Sequence, residues 1–339
     1  MAAAEAEALK GGEGPDFSAL PEGCIASVVS FTSPVDACRL APVSSIFKSA
    51  CESDAVWASF LPPECRQMVP RSVSSLKKLY FSLCDDPVLI GDGKMSFSLD
   101  RHSGKICIML SARTLSITWG DTPRYWSWNH MPDSRFAEVA ELISVCWLEI
   151  RGTISSRMLS RGTLYAAYLV FKSTPASYGF DFTSVEVRAG FAGDEAGKRE
   201  RSVYLSSENS SVSLSTENST RGWQSRFRRR RIAFRFQPMP INNNHDGDLP
   251  TPAPAGPAPA TAQAEPALAE GNGNRPKERR DGWLEIELGE FWTKDGEDGE
   301  VEMSVLETKG GNWKGGLILE GIEIRPKHGK EKCLHAGRV

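Results

Sequence analysis

At 339 residues the chain is long enough for two domains of ordinary size, and 40% apolar with 24% charged residues excludes a fibrous or wholly disordered protein. Forty Lys and Arg against 43 Asp and Glu give a formal charge of -3. That balance excludes whole-molecule attraction to nucleic acid or anionic lipid and leaves any such partner to a local patch. The first ten residues carry acids where a secretory leader needs a basic stretch, and no run of about 18 apolar residues follows, so a soluble, unsecreted chain with no membrane partner is expected. Eight scattered cysteines without a CxxC pair predict free thiols in a reducing compartment, the cytoplasm and nucleus, and no structural zinc.

After a small, acidic, Gly-rich stretch over residues 1–15, helical apolar spacing runs from Phe17 to about Pro63. Three helices fit it. The first sets Ile25, Val28 and Val29 on one stripe. The second starts at Ser33-Pro34, with Ser as cap, Pro at the first helical position and Asp36 in the first turn, and Val43, Ile46 and Phe47 continue its rhythm. The third is capped by Ser53, carries Val56, Trp57, Phe60 and Leu61, and stops at Pro62-Pro63. Trp57 and Phe60 are expected to fill this module's own core. So short a segment makes a small core and is expected to lean on a partner.

A connector over 64–94 contains an amphipathic helix across Ser74 to Leu83. From Met95 the period changes to two. Strands are predicted over 106–110, 115–119, 145–150, 164–171, 185–191, 283–288, 301–306 and 317–324, separated by Gly, Ser, Pro and Asp turns. Only Phe136 to Ile143 reads as a helix, capped by Asp133 or Ser134. Many short strands with few helices predict an antiparallel sandwich. Between 206 and 275 the composition collapses into Ser, Asn, Arg, Pro and Ala, which predicts a disordered insertion. It splits the sheet domain in sequence without requiring a split in space. Within it, 221–235 holds seven arginines and no acid, for which a solvated tail, a nuclear import signal and a nucleic-acid contact all stay open.

The stretch from Trp119 to Trp128 concentrates Trp119, Tyr125, Trp126 and Trp128 in a chain that is 9% aromatic, which is either a core or a surface on which rings stack. Trp119 shares strand parity with Leu115 and Ile117 and should face the core. Trp126, past Pro123 in a turn, is freer to be exposed. Trp147 and Trp283 read as core.

Two resemblances overlay this pattern. Leu20-Pro21-Glu22-Gly23-Cys24-Ile25, Thr32-Ser33-Pro34-Val35-Asp36-Ala37, Val43-Ser44-Ser45-Ile46-Phe47 and Ser53-Asp54-Ala55-Val56-Trp57 together resemble an F-box. The resemblance implies docking of apolar helix faces onto a Skp-type adaptor, and through it a cullin, with Leu20, Pro21, Ile25 and Val28 as contacts. Further on, Ser96-Phe97-Ser98-Leu99-Asp100-Arg101, Ile117-Thr118-Trp119-Gly120-Asp121, Tyr125-Trp126-Ser127-Trp128, Cys146-Trp147-Leu148-Glu149-Ile150, Asp281 through Trp292 and Gly321-Ile322-Glu323-Ile324-Arg325-Pro326 resemble the plant phloem protein 2-like lectins, the family of the tobacco leaf lectin.

That likeness implies a non-catalytic β-sandwich that binds N-acetylglucosamine oligomers or N-glycan cores. On the matching motifs its sugar-binding residues fall at Trp119, Trp126, Glu290 and Glu297. An indole stacks on a pyranose face while a carboxylate accepts hydrogen bonds from hydroxyls and the acetamido N–H.

The expected fold class is therefore α+β and multidomain: an F-box over 16–63, a helical connector over 64–94, a jelly-roll-like antiparallel sandwich over 95–205 and 276–327, the insertion over 206–275 and a tail over 328–339. No catalytic residue, metal or cofactor is expected. Glu290 and Glu297 could mimic a glycosidase pair, but the five histidines lack metal spacing and neither a nucleophile elbow nor a P-loop occurs. The expected function is the substrate-recognition subunit of a ubiquitin ligase that reads a glycoprotein. A stress-response lectin with a vestigial F-box, a sandwich that reads protein alone and, more weakly, an arginine-borne nucleic-acid contact stay open, as does homodimerisation.

Overall fold

The computed structural model describes residues 20–63, 65, 75–181, 183–194, 197–206, 274–296 and 298–327. Both predicted tails, nearly all of the predicted disordered insertion and Glu297 lie outside the described residues. Helices α1 (Glu22–Val29), α2 (Pro34–Leu40), α3 (Ser45–Glu52), α4 (Asp54–Phe60) and α5 (Leu76–Asp85) come first. Serine starts four of them: the hydroxyls of Ser33, Ser44, Ser53 and Ser75 accept from the backbone N–H of Asp36, Phe47, Ala55 and Lys78. The second helix expected from Ser33 through Phe47 is divided in two. Pro42 follows the C-cap Ala41 and cannot continue the hydrogen-bond ladder, and Ser44 caps a fresh start.

Trp57 organises this end. It is 0% exposed, its indole donates to the Cys51 carbonyl at 2.7 Å, and its ring lies 5.7, 5.1 and 5.4 Å from those of Phe60, Tyr80 and Phe81. Phe60 is only half-buried. The Tyr80 hydroxyl reaches past the helices to donate to the carbonyls of Asp100 and Arg101 at 3.0 and 3.1 Å, which ties α5 to the first turn of the sheet region. Gly104 in that turn has φ +68°, and a Cβ there would stand 2.9 Å from the Phe60 carbonyl oxygen, so the helices and the sheet meet on a glycine.

Fourteen strands follow: β1 (Val88–Ile90), β2 (Met95–Leu99), β3 (Ile106–Ser111), β4 (Ser116–Ile117), β5 (Trp126–Asn129), β6 (Val139–Leu142), β7 (Leu148–Ser155), β8 (Thr163–Tyr178), β9 (Val185–Phe191), β10 (Arg201–Val203), β11 (Lys277–Glu278), β12 (Leu284–Thr293), β13 (Glu300–Glu307) and β14 (Gly315–Pro326). One sheet runs β1-β2-β3-β14-β8-β12-β11 and carries the β5–β6 hairpin on β14; the other runs β10-β9-β13-β7-β4. Every strand pairing within them is antiparallel. Alternating burial along β7, with Leu148, Ile150 and Ile154 inward and Arg151 outward, is the period-two signal read from the sequence. Phe291 of the first sheet stacks on Tyr165 at 5.9 Å and meets Phe191 of the second edge-on at 6.1 Å, so one ring joins the two layers.

Phe136 to Ile143 is not a helix. Val139, Ala140 and Leu142 are buried in β6, which pairs with both β5 and β14, so tertiary pairing overrides the local helical rhythm. The Ser134 hydroxyl accepts from Phe136 N–H at 3.0 Å, but this closes a turn instead of opening a helix. Beside it, Trp283 is 1% exposed, in the core as expected, although its parity sets it on the face opposite Ile286 and Leu288, against Phe136 and Val139; it donates to the Asp133 carbonyl at 3.1 Å.

Charge also enters the interior. Lys314 is 0% exposed, pairs with the buried Glu307 and donates to the Asn312 carbonyl at 2.8 Å. On the first sheet, burial pushes the Glu323 carboxyl upward, but Arg279 at 2.6 Å and Arg135 at 3.0 Å outweigh it and hold the group at about 2.

Candidate functional site

The aromatic stretch sits where β4 ends and β5 begins. The expected strand over 115–119 is cut to Ser116–Ile117 because Trp119 adopts φ +59°, a left-handed conformation unusual for an aromatic residue. Two indoles hold the loop from below: Trp126 donates to the Thr118 carbonyl at 3.2 Å and Trp128 to the Gly120 carbonyl at 2.9 Å. The Arg113 guanidinium covers the Trp128 ring at 3.6 Å. Anchored this way, the turn drives Trp119 outward, where it is 43% exposed and leans on Tyr125 at 5.1 Å. The parity reading of these two tryptophans is thereby reversed. Trp126 is 2% exposed and packs in the core, so its face is closed to a ligand.

Trp147, expected in the core, is also 43% exposed. Its indole donates to Glu149 at 3.0 Å, and the Arg151 guanidinium donates to the same carboxylate at 2.7 Å. Those bonds, the Trp147 one foremost, hold the Glu149 carboxyl below its ordinary value. The Thr118 hydroxyl reaches Glu149 as well, at 3.4 Å, linking the two exposed indoles through one carboxylate. Ile143, 44% exposed, joins the same end by donating its N–H to the Tyr125 carbonyl at 2.9 Å. Two rings, a fixed carboxylate and an aliphatic side chain thus share one end of the sandwich. Sequence reasoning missed Trp147 and Glu149, although alternation with the inward Leu148 and Ile150 already pointed both of them out.

Glu290 is elsewhere. It stands on the outward face of β12, paired with Lys327 and followed two residues on by Trp292, which is 53% exposed. Register measures the separation. Glu290 lies opposite Ala166, which lies opposite Arg325 of β14, whereas the hairpin carrying Trp126 meets β14 at Ile318. Seven residues along one strand is about 20 Å. The tryptophan pair and Glu290 are therefore not brought together; Glu297 lies outside the described residues.

At the opposite end of the chain's order, Leu20, Val28, Phe31 and Val43 are 44%, 65%, 89% and 65% exposed, and Pro21 is exposed with them. Four large apolar side chains are thus left open to solvent along one stretch of helices and turns. Ile25 departs from the expected contact set: at 3% exposure it packs inside, together with Val29.

The family model for phloem protein 2 matches residues 105–326. The chain is similar to F-box protein PP2-B1 of Arabidopsis thaliana, 44% identical over 92% of this chain and 90% of the relative. It is likewise similar to F-box protein PP2-B10 (41% identical, 93% and 95% covered) and to F-box protein VBF (38%, 91% and 99%), both of the same plant.

Proposed function

Because the chain belongs to the plant F-box proteins that carry a phloem protein 2 domain, we propose that it is the substrate-recognition subunit of a Skp-cullin-F-box ubiquitin ligase. In this reading α1 to α4 form the F-box and dock on the Skp-type adaptor, while the sandwich selects the target. The observation that carries it is the exposure of Leu20, Val28, Phe31 and Val43 on that helical end, an apolar surface a small helical module would otherwise bury in itself. The contact set is then Leu20, Pro21, Val28, Phe31 and Val43, with Ile25 supporting it from inside.

For target selection the aromatic end favours a sugar. Trp119 and Trp147 offer ring faces to an N-acetylglucosamine unit, and Glu149 offers a carboxylate acceptor next to them. Glu290, paired with Lys327 and remote from both rings, takes no part in that surface.

Truncating the exposed ring and the buried ring separates stacking from support. Trp119→Ala is expected to weaken binding of chitin oligomers on a glycan array by roughly 2- to 10-fold while leaving the melting temperature in place, since one stacking ring is worth about 0.5–1.5 kcal/mol and its hydrogen-bonded neighbours stay put. Trp126→Ala is expected to lower the melting temperature first, as loss of a buried tryptophan costs about 3–5 kcal/mol. Undiminished glycan binding in Trp119→Ala would place the sugar site away from this ring, and a wild-type chain that binds no glycan would make the sandwich a reader of protein alone.

A further inference from the structure

A second recess lies away from the aromatic end. It is a cleft of about 960 Å³ between β10, the edge strand of one sheet, and β11, the edge strand of the other. Among the described residues six cations line it: Arg199, Arg201, Arg275, Lys277, Arg325 and Lys327. Glu285, Glu287 and Glu290 are the carboxylates of the described lining, which therefore carries six positive charges against three negative ones. In a chain whose formal charge is -3, this is a local reversal of sign.

The carboxylates are already engaged. Arg325 grips Glu285 with two bonds of 2.6 and 2.7 Å while its guanidinium lies 3.9 Å over the Tyr168 ring. Arg201 and Lys327 reach Glu287 at 2.8 and 3.0 Å, and Lys327 also pairs with Glu290. Burial alone would raise the Glu287 carboxyl, yet these two cations bring it below its ordinary value. The floor of the cleft is thus a set of fixed ion pairs. Above it, Arg199 and Lys277 are exposed and have no salt-bridge partner among the described residues. A β-bulge between Glu287 and Gly289 shapes that floor, and Gly289 gives it room: a Cβ there would lie 3.0 Å from the Ala189 backbone nitrogen.

We propose that this cleft binds a phosphate monoester carried on an extended peptide. Arginine and lysine supply charge-assisted hydrogen bonds to a compact dianion, and the surplus of cations supplies its counter-charge. The cavity is far larger than one phosphate and is bordered by β10 and β11, which among the described residues have no strand partner on their outer sides, so their edges suit a strand-like chain on either side of the anion. A continuous polyanion is disfavoured, because successive phosphates would be set against Glu285, Glu287 and Glu290.

The test uses the full chain and three fluorescent probes: a phosphoserine peptide pool with degenerate flanks, the same pool with plain serine, and a short single-stranded oligonucleotide. The phosphoserine pool is expected to bind about 10-fold or more tighter than the serine pool, and Arg199→Ala with Lys277→Ala to reduce that binding by about 10-fold at an unchanged melting temperature. Equal binding of the two pools, undiminished binding by the double variant, or tighter binding of the oligonucleotide would overturn the assignment. Displacement of the peptide pool by inorganic phosphate at equal concentration would overturn the peptide part and assign the cleft to a free anion.

Discussion

Replacing Val28 and Phe31 together by aspartate is expected to weaken binding to a Skp-type adaptor by about 100-fold or more while the chain's melting temperature changes by no more than a degree or two. Both side chains project from the helical end, at 65% and 89% exposure, and neither belongs to the buried set of Ile25, Val29 and Trp57. Docking would take them out of water, which is worth about 1.5–3 kcal/mol for each fully buried side chain. Aspartate removes that gain and sets a carboxylate against an apolar partner surface, at a further desolvation cost. The folded monomer sees almost none of this, because the changed atoms already face solvent. Calorimetric titration of the purified chain with the adaptor reads the difference directly. Full affinity in the double variant would place the adaptor surface elsewhere on the chain.

Trp57→Ala carries the largest expected cost in stability. The indole touches the rings of Phe60, Tyr80 and Phe81 and anchors the Cys51 carbonyl, so its removal opens a cavity that α4 and α5 both line. Large-to-small changes of this kind cost about 3–5 kcal/mol, a sizeable part of the roughly 5–15 kcal/mol that holds an ordinary domain together. A fall in melting temperature on the order of 10 °C follows, measurable by calorimetry. Adaptor affinity is expected to fall with it, since the docking helices are set by this core. A loss below about 1 kcal/mol would mean that α5 does not brace the helical end as its ring contacts indicate.

Much of this architecture is written locally. Ser33 and Ser53 announce their helices by side chains that reach their own backbones, and the alternation through Leu284 to Leu288 and Val301 to Leu306 names the inward face without tertiary information. Failures cluster where long-range contacts decide. Pro42 carries enough local information to divide the second helix, but the apolar rhythm through Ile46 and Phe47 masks it. Residues 139–142 become a strand because β14 offers them an edge, which no window of that segment reveals.

The candidate site shows the same division. Strand parity assigns Trp119 inward only if the strand continues. A positive φ at Trp119, held by hydrogen bonds from Trp126 and Trp128 eight residues further on, ends it and exchanges the two rings between core and surface. Trp147 and Glu149 could have been found from alternation alone. The basic cleft could not, since its cations come from 199–201, 275–277 and 325–327, segments far apart in the chain that the sheets bring side by side.

The most direct measurement of the bridging role is retention of a purified Skp-type adaptor on a chitin-oligomer resin. The adaptor is expected to be held only when the full chain is present, and to be released both by free chitin oligomer and by the Val28→Asp, Phe31→Asp variant used in place of wild type. An adaptor that passes through the resin although the wild-type chain is bound there would contradict a protein that joins a ligase scaffold to a sugar-bearing target.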